Sequence, residues 1–433
     1  MVLFTSYSTN ASKSSWLLGG SKGRYTDMTR VTILNQYFYP DNVTSATLTY
    51  ELACGLAKNG YDVKAVAGMP YEYQTNTSVA RREIKNNIEI NRIDYSSYDR
   101  SSKIGRIRNY FSFFWAIKRN KKLLKNTDVL ITYSSPPINP ILPAIYRKKY
   151  GYKMVNVIYD LYPDLACNFG YMKPNGLSQK ILIFINDFVY KKCDKIVVLS
   201  QEMKQYFIDH KGHADKVSVI PNWYNDDHGQ ADDITVDTKR LSVLYGGNIG
   251  IVQDTETLAL GIDKFKNRDD IEFIFATHGN KQDEFFNRLD SMGVNNYKRL
   301  GLLEKHDYDK LLKTVDIGIV AADEKIIGLA SPSKFYAYIA KSLPVLFIGP
   351  QAMDVAKDIT GNSIGYVVAN GKIEQFVRAI EDFQATHKEE KLKMRQRARE
   401  LFYTKYTLIK CLDKYDILLK ELNKEIKNER IFE

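Results

Sequence analysis

The chain has no stretch approaching the roughly 18 to 20 uninterrupted apolar residues of a membrane span, and no signal-peptide pattern precedes its first strand-like run. An integral or secreted protein is therefore not expected. Its four cysteines, Cys54, Cys167, Cys193 and Cys411, lie far apart, without CxxC spacing or nearby histidine pairs. That argues against both a zinc site and a disulfide framework, and fits a reducing cytoplasm. Short solenoid repeats and low-complexity tracts are missing too. What is present is ordinary for a globular protein: 44% hydrophobic and 26% charged residues, a balance that argues against long disorder. A length of 433 residues exceeds what one core usually organises, so two domains of about 200 residues each are expected. The excess of 62 Lys+Arg over 51 Asp+Glu, a formal +11, favours an anionic partner such as nucleic acid, phospholipid or a phosphorylated substrate.

Short β-branched or apolar runs alternate with longer helical patterns: Val31–Tyr37 then Thr44–Asn59, Asp62–Ala67, Asp128–Tyr133 then Asn139–Tyr150, Lys153–Tyr159, and Lys195–Leu199. Strand followed by helix, repeated, implies right-handed crossovers and a parallel sheet covered on both faces. The rhythm restarts after a polar stretch with Leu241–Tyr245, Ile271–Thr277, Asp316–Ala321, Pro344–Ile348 and Gly365–Val368. The fold class is therefore α/β, with two doubly wound, Rossmann-like domains. The expected divisions are an extension at 1–28 with Met28 as a natural start, a first domain at 29–223, a linker at 224–240, a second domain at 241–395 and a helical tail at 396–433. Leu401, Tyr406, Leu408, Leu412, Tyr415, Leu418, Leu419 and Leu422 give the tail an apolar face that must find a surface to cover it.

Four segments could carry chemistry. Tyr245-Gly246-Gly247-Asn248-Ile249-Gly250 follows a strand and precedes a helix beginning near Asp254. Glycines there let backbone N–H groups approach a diphosphate, although a tight turn without a ligand would use them as well. In Ser331-Pro332-Ser333-Lys334, Ser331 suits the N-cap and Pro332 the first helical position, with Lys334 adding positive charge to the helix end. A well-capped helix with no ligand is the plainer alternative. Tyr159-Asp160-Leu161-Tyr162-Pro163-Asp164 puts two carboxylates at the carboxyl end of a strand, where α/β folds place ligand contacts. Asp160 or Asp164 could act as a base or accept a hydrogen bond from a sugar hydroxyl, or could cap a turn. Finally, residues 103–125 carry Lys103, Arg106, Arg108, Lys118, Arg119, Lys121, Lys122 and Lys125 with no acidic residue, interleaved with Tyr110, Phe111, Phe113, Phe114 and Trp115. Such a helix can lay aromatics into a lipid interface while its cations meet anionic headgroups; its aromatics could equally belong to a core. No helix-turn-helix, zinc-finger or RNA-recognition signature accompanies the charge, so nucleic acid is not expected as a partner.

From about Thr29 to Leu419 the chain resembles the family 4 glycosyltransferases, particularly the branch that builds capsule, colanic-acid and O-antigen repeat units. The resemblance rests on phrases in order: Tyr39-Pro40-Asp41-Asn42 with Leu56-Ala57-Lys58-Asn59-Gly60 and Val63, then Ser134-Ser135-Pro136-Pro137, then Asp160-Leu161-Tyr162-Pro163-Asp164, and lastly Gly246-Gly247-Asn248 and Pro332-Ser333-Lys334 with Pro344-Val345. It implies the two-domain GT-B fold, with a C-terminal helix packing back on the N-terminal domain. It further implies retaining transfer of a sugar from a nucleotide sugar, a UDP-sugar by preference, to a polyprenyl-diphosphate-linked glycan at the inner face of the cell membrane.

By the same resemblance, Gly247, Asn248, Ser333 and Lys334 would lie near the donor diphosphate, and Gly301, Leu302 and Leu303 near its base. The first domain would bind the acceptor, and neither metal nor other cofactor would be required. The chain departs from the pattern at the family's paired glutamates, which would fall near Leu329 and Ala337, and at an arginine replaced by Asn248. A nucleotide-sugar 2-epimerase of the same fold, and a catalytically silent protein that binds nucleotide sugar and supports a partner transferase, remain as alternatives.

Overall fold

The computed structural model describes residues 28–72, 79–99, 102–226 and 240–431. The extension expected at 1–28 lies outside these residues except for Met28, as do residues 227–239 of the expected linker. The first body is built on strands β1 (Arg30–Leu34), β2 (Asp62–Gly68), β3 (Arg82–Lys85), β4 (Ile88–Ile93), β5 (Val129–Tyr133), β6 (Lys153–Val157), β7 (Lys195–Val198) and β8 (Val217–Val219). They form one eight-stranded sheet in the order β3-β4-β2-β1-β5-β6-β7-β8. The second body uses β9 (Leu241–Asn248), β10 (Ile271–His278), β11 (Tyr297–Arg299), β12 (Ile317–Ala321), β13 (Val345–Ile348) and β14 (Gly365–Val368), in the order β11-β10-β9-β12-β13-β14.

The expectation of wholly parallel sheets needs one correction. β3 and β4 form an antiparallel hairpin at the edge of the first sheet. β3 is half-exposed and reads as a charged tetrapeptide, Arg82-Glu83-Ile84-Lys85, so it carries no apolar run to announce it. Charged, short edge strands of this kind discourage pairing with another chain.

Helices α1 (Thr44–Lys58), α2 (Lys103–Arg119), α3 (Ile141–Tyr150), α4 (Asp164–Asn168), α5 (Leu177–Lys192) and α6 (Gln201–Lys211) belong to the first body. Central strands are buried on both faces, as parallel strands between helical layers must be: β5 and β12 are buried at every residue. One apolar cluster joins the two bodies, bringing Met203 and Phe207 of α6 together with Leu329, Phe335 and Tyr336 of the second half.

The chain crosses between the bodies twice, and the crossings touch. Tyr224, leaving the first body, forms a parallel bridge with Thr407, returning to it. A buried charge cluster pins the same place: Lys341 meets Asp226 at 2.6 Å and Asp309 at 3.2 Å, and Arg399 meets Asp226 at 2.8 Å. The returning helix, Leu408–Ile431, then delivers Cys411, Leu412, Tyr415, Leu418, Leu419 and Leu422 into the core of the first body, which is the surface the tail's apolar face required. Gly55 of α1 admits it. A Cβ there would stand 2.2 Å from Leu412 Cδ1.

Candidate functional site

The two glycines that the sequence singled out at the end of β9 do different work. Gly246 is buried, its N–H donates to the Tyr338 hydroxyl at 2.9 Å, and a Cβ on it would strike the Tyr308 hydroxyl at 2.1 Å. It makes room for packed tyrosines, and its amide is already taken. Gly247 has φ +86°, and a Cβ on it would press on Lys334 Cε at 3.1 Å. Only glycine adopts this conformation cheaply while letting the lysine side chain lie across the turn.

Lys334 is half-buried, and its ammonium donates to the Asn248 carbonyl at 2.8 Å and to the Tyr245 hydroxyl at 2.9 Å. Among the described residues no carboxylate forms an ion pair with it, and burial pushes its pKa down to about 7. A cation held without a counter-ion gains most from an arriving anion. The Asn248 side chain lies against Gly250 and Gly279 inside the loop.

His278 was not anticipated. The sequence signal that could have found it is the run ending at Thr277, because β10 pairs with β9 up to His278 opposite Asn248. Burial and then the charge of Lys334 hold its pKa below the usual histidine value. Gly301, Leu302 and Leu303 follow β11, on the far side of β10 from the glycine turn. Gly301 has φ +70° with open space around it, Leu302 is exposed, and Leu303 packs against the shared core.

The Ser331–Lys334 segment folds differently from its sequence reading. The helix after it is Lys334–Ala340, with Ser333 rather than Ser331 at its N-cap and no side-chain cap bond. Ser331 instead pairs its hydroxyl with Tyr336 at 3.1 Å, and Ser333 is exposed at the turn. Pro332 thus precedes the helix instead of opening it. Two turns of helix sum few peptide dipoles, so the positive charge at this end is chiefly that of Lys334.

The paired aspartates also separate. Asp164 opens α4 and is fully engaged, receiving Lys211 Nζ at 2.8 Å and 2.9 Å and the Tyr206 hydroxyl at 3.0 Å. It ties α4 to α6. Asp160 has no side-chain partner among the described residues, and burial alone raises its carboxyl to about 6. Its carbonyl accepts from Ser134 Oγ at 3.4 Å, which fastens the Ser-Ser-Pro-Pro loop to it.

The two candidate groups approach each other through the backbone. The N–H of Leu161, next to Asp160, donates to the carbonyl of Leu329 at 2.9 Å, just before the Ser331–Lys334 segment. The segments that carry Asp160 and Lys334 therefore meet where the two bodies touch. A cavity of about 400 Å³ lies between the bodies, with Phe169 and Tyr171 of the first and Gly250, Asp254, Lys281 and Arg288 of the second on its walls; neither Asp160 nor Lys334 lines it. Among the described residues no group of three His, Cys, Asp or Glu side chains is placed to hold a metal ion.

The basic segment forms α2, whose two faces differ. Phe113, Ala116 and Ile117 are buried against β-strand residues such as Val66 and Ile93. Ile104, Ile107, Phe111 and Trp115, spaced three, four and four residues apart, form an exposed stripe at 65%, 53%, 52% and 48% accessibility. Arg108, Lys118 and Arg119 are exposed beside it. No helix among the described residues is long and apolar enough to cross a membrane.

Residues 45–228 match the model of Glycosyltransferase Family 4. Over 280 residues the chain is 21% identical to the Pseudomonas aeruginosa protein named "Probable glycosyltransferase WbjE", covering 63% of this chain and 69% of that one. Its fold is similar to sucrose-phosphate synthase from Thermosynechococcus elongatus, with TM-score 0.72 and 12% identity over 92% of this chain and all 100% of the other. It is similar also to HepE of Anabaena, solved in complex with UDP and glucose, with TM-score 0.67 and 12% identity over 91% and 100% of the two chains. The fold is thus GT-B, with the C-terminal helix returning to the first body, and the chain is an enzyme of the glycosyltransferase type.

Proposed function

We propose that this transferase moves a sugar, with retention of anomeric configuration, from a UDP-sugar to a polyprenyl-diphosphate-linked glycan at the cytoplasmic face of the cell membrane. One observation carries the proposal: a half-buried, unpaired Lys334 ammonium lies across the Gly247 turn, and the backbone contact Leu161–Leu329 joins its segment to the loop of the unpaired Asp160. Donors aimed at the place where charge develops are the largest single source of catalysis in many enzymes. Here that place is the β-phosphate of the departing nucleoside diphosphate, and Lys334 is the donor. Asp160, with a pKa of about 6, is mostly ionised at neutral pH and accepts a hydrogen bond from a hydroxyl of the acceptor or donor sugar. The stripe of α2 enters the lipid interface, and Arg108, Lys118 and Arg119 meet anionic headgroups, each contributing on the order of 1 kcal/mol. No resident metal or cofactor is assigned a role.

The test is thermal stability with UDP, GDP, dTDP, CDP and ADP, followed by transfer from the matching nucleotide sugar to a polyprenyl-diphosphate glycan. A shift with one base and product formation are expected; no shift with any of them sinks the proposal. A second reading is favoured by Leu329 and Ala337, both buried and apolar where the resemblance would place acids. In that reading the chain binds nucleotide sugar and supports a partner transferase, and it would show the shift without sugar transfer or nucleotide release.

A further inference from the structure

A second exposed apolar stripe runs along α5, where Leu177, Ile181 and Phe184, four and three residues apart, are 76%, 49% and 75% accessible. α5 and α2 both pack on α3, whose Ile145 is also exposed between them. Tyr162 lies between the two striped helices. Its carbonyl accepts from Asn186 Nδ2 of α5 at 2.7 Å, and its hydroxyl is within electrostatic reach of Arg106 and Tyr110 of α2 and of Asp160. Two apolar rails therefore flank the loop that carries Asp160.

Arg106, on α2 next to the exposed Ile107, lies within electrostatic reach of Tyr162. It is half-buried, and among the described residues its guanidinium has neither a hydrogen bond nor an ion pair. A guanidinium partly withdrawn from water and left without an anion is unfavourable by itself. Asp160 does not supply the missing charge, because its carboxyl responds to burial and to no neighbouring cation. Apolar surface, a free arginine and a free carboxyl thus gather around Tyr162. An amphiphile with a hydrocarbon chain, a phosphate and a polar group beyond it offers a partner for each. The planar guanidinium fork matches phosphate oxygens in pairs.

We infer that Arg106 binds the phosphate of a phosphorylated polyprenyl lipid that enters between α2 and α5, its hydrocarbon along the two stripes and its glycan directed toward Asp160. The inference rests on the proposed transfer to a lipid-carried acceptor and adds to it the entry path and the residue that reads the lipid phosphate.

The test uses the full chain and farnesyl diphosphate below its micelle concentration, followed by titration calorimetry, with farnesol, inorganic diphosphate and phosphatidylglycerol vesicles as comparisons. Farnesyl diphosphate should bind more tightly than either farnesol or inorganic diphosphate. Arg106→Gln should weaken it at least tenfold, Arg106→Lys should fall between, and Lys148→Gln, an exposed cation on α3, should leave it unchanged. Binding to the vesicles should be the same for Arg106→Gln and wild type, which separates a lipid diphosphate from a phospholipid headgroup. The inference is overturned if farnesyl diphosphate fails to bind, if Arg106→Gln and Lys148→Gln behave alike, or if inorganic diphosphate binds as well as the lipid. It is also overturned if Lys334→Met abolishes the binding while Arg106→Gln does not, since the probe would then occupy the nucleotide site. A chain that shifts with UDP but shows no Arg106 effect fails here alone. One that binds the lipid through Arg106 but no nucleoside diphosphate fails the proposed function instead.

Discussion

Nucleoside diphosphate binding should be linked to protonation of Lys334. In the ligand-free protein burial lowers this ammonium from 10.5 to about 7, with no carboxylate to offset the loss of water. A bound diphosphate stabilises only the charged form, so binding above pH 7 must first protonate the lysine. That costs roughly 1.4 kcal/mol per pH unit, or roughly 2.7 kcal/mol at pH 9. Calorimetric titration of UDP from pH 5 to 9 should therefore give a Kd that rises about tenfold per unit on the alkaline side.

The acid side has a different origin, because a terminal phosphate protonates near pH 6. Lys334→Met should remove the alkaline dependence and weaken binding at pH 7 by about 1.5–3 kcal/mol, the worth of a hydrogen bond to a charged group. In the ligand-free protein the sign reverses. The depressed lysine holds fewer protons folded than unfolded between pH 7 and 10.5, so its stability penalty is full below 7 and fades as pH rises. Lys334→Met should then melt above wild type at pH 6 and level with it near pH 10. A flat Kd from pH 7 to 9, or an alkaline limb that persists in Lys334→Met, would refute the assignment.

Asp160→Asn should leave the UDP melting shift intact and lower sugar transfer about a hundredfold or more, whereas Asp164→Asn should lower the melting temperature by breaking the Lys211 pair while leaving the shift in place. Phe111→Ser with Trp115→Ser, both about half exposed, should cut binding to phosphatidylglycerol vesicles at least tenfold without a change in melting temperature; equal binding would show that α2 does not meet lipid. Gly55→Val should force Leu412 out of its seat and lower the melting temperature by several degrees, and a silent substitution would mean that the last helix does not depend on this contact.

The alternation of apolar runs and helical patterns carried the architecture, because strands buried on both faces must be continuous and apolar. Gly365–Val368 was located to the residue, and the other expected strands fell within a few positions. The edge hairpin was not visible, since its outer strand is charged and stabilised by pairing rather than burial. Local pattern could not distinguish Asp160 from Asp164. What separates them is Lys211, 47 residues away from Asp164, and nothing short-range announces that partner. Ser331 and Ser333 present the same capping chemistry, and only the hydroxyl of Tyr336 decides which one leaves the helix start. The α5 stripe has the spacing of a core-facing helix, and only the absence of a covering element among the described residues marks it as surface.

The return of the final helix bears on how the protein is made. Cys411 through Ile426 complete the core of the first body, so that body lacks part of its interior until the chain through Ile426 has left the ribosome. Domains commonly fold in order of synthesis, N-terminal first, at about 5–20 residues per second. Here the first body waits, with the groove beside Gly55 open, for a segment that is translated after the second body.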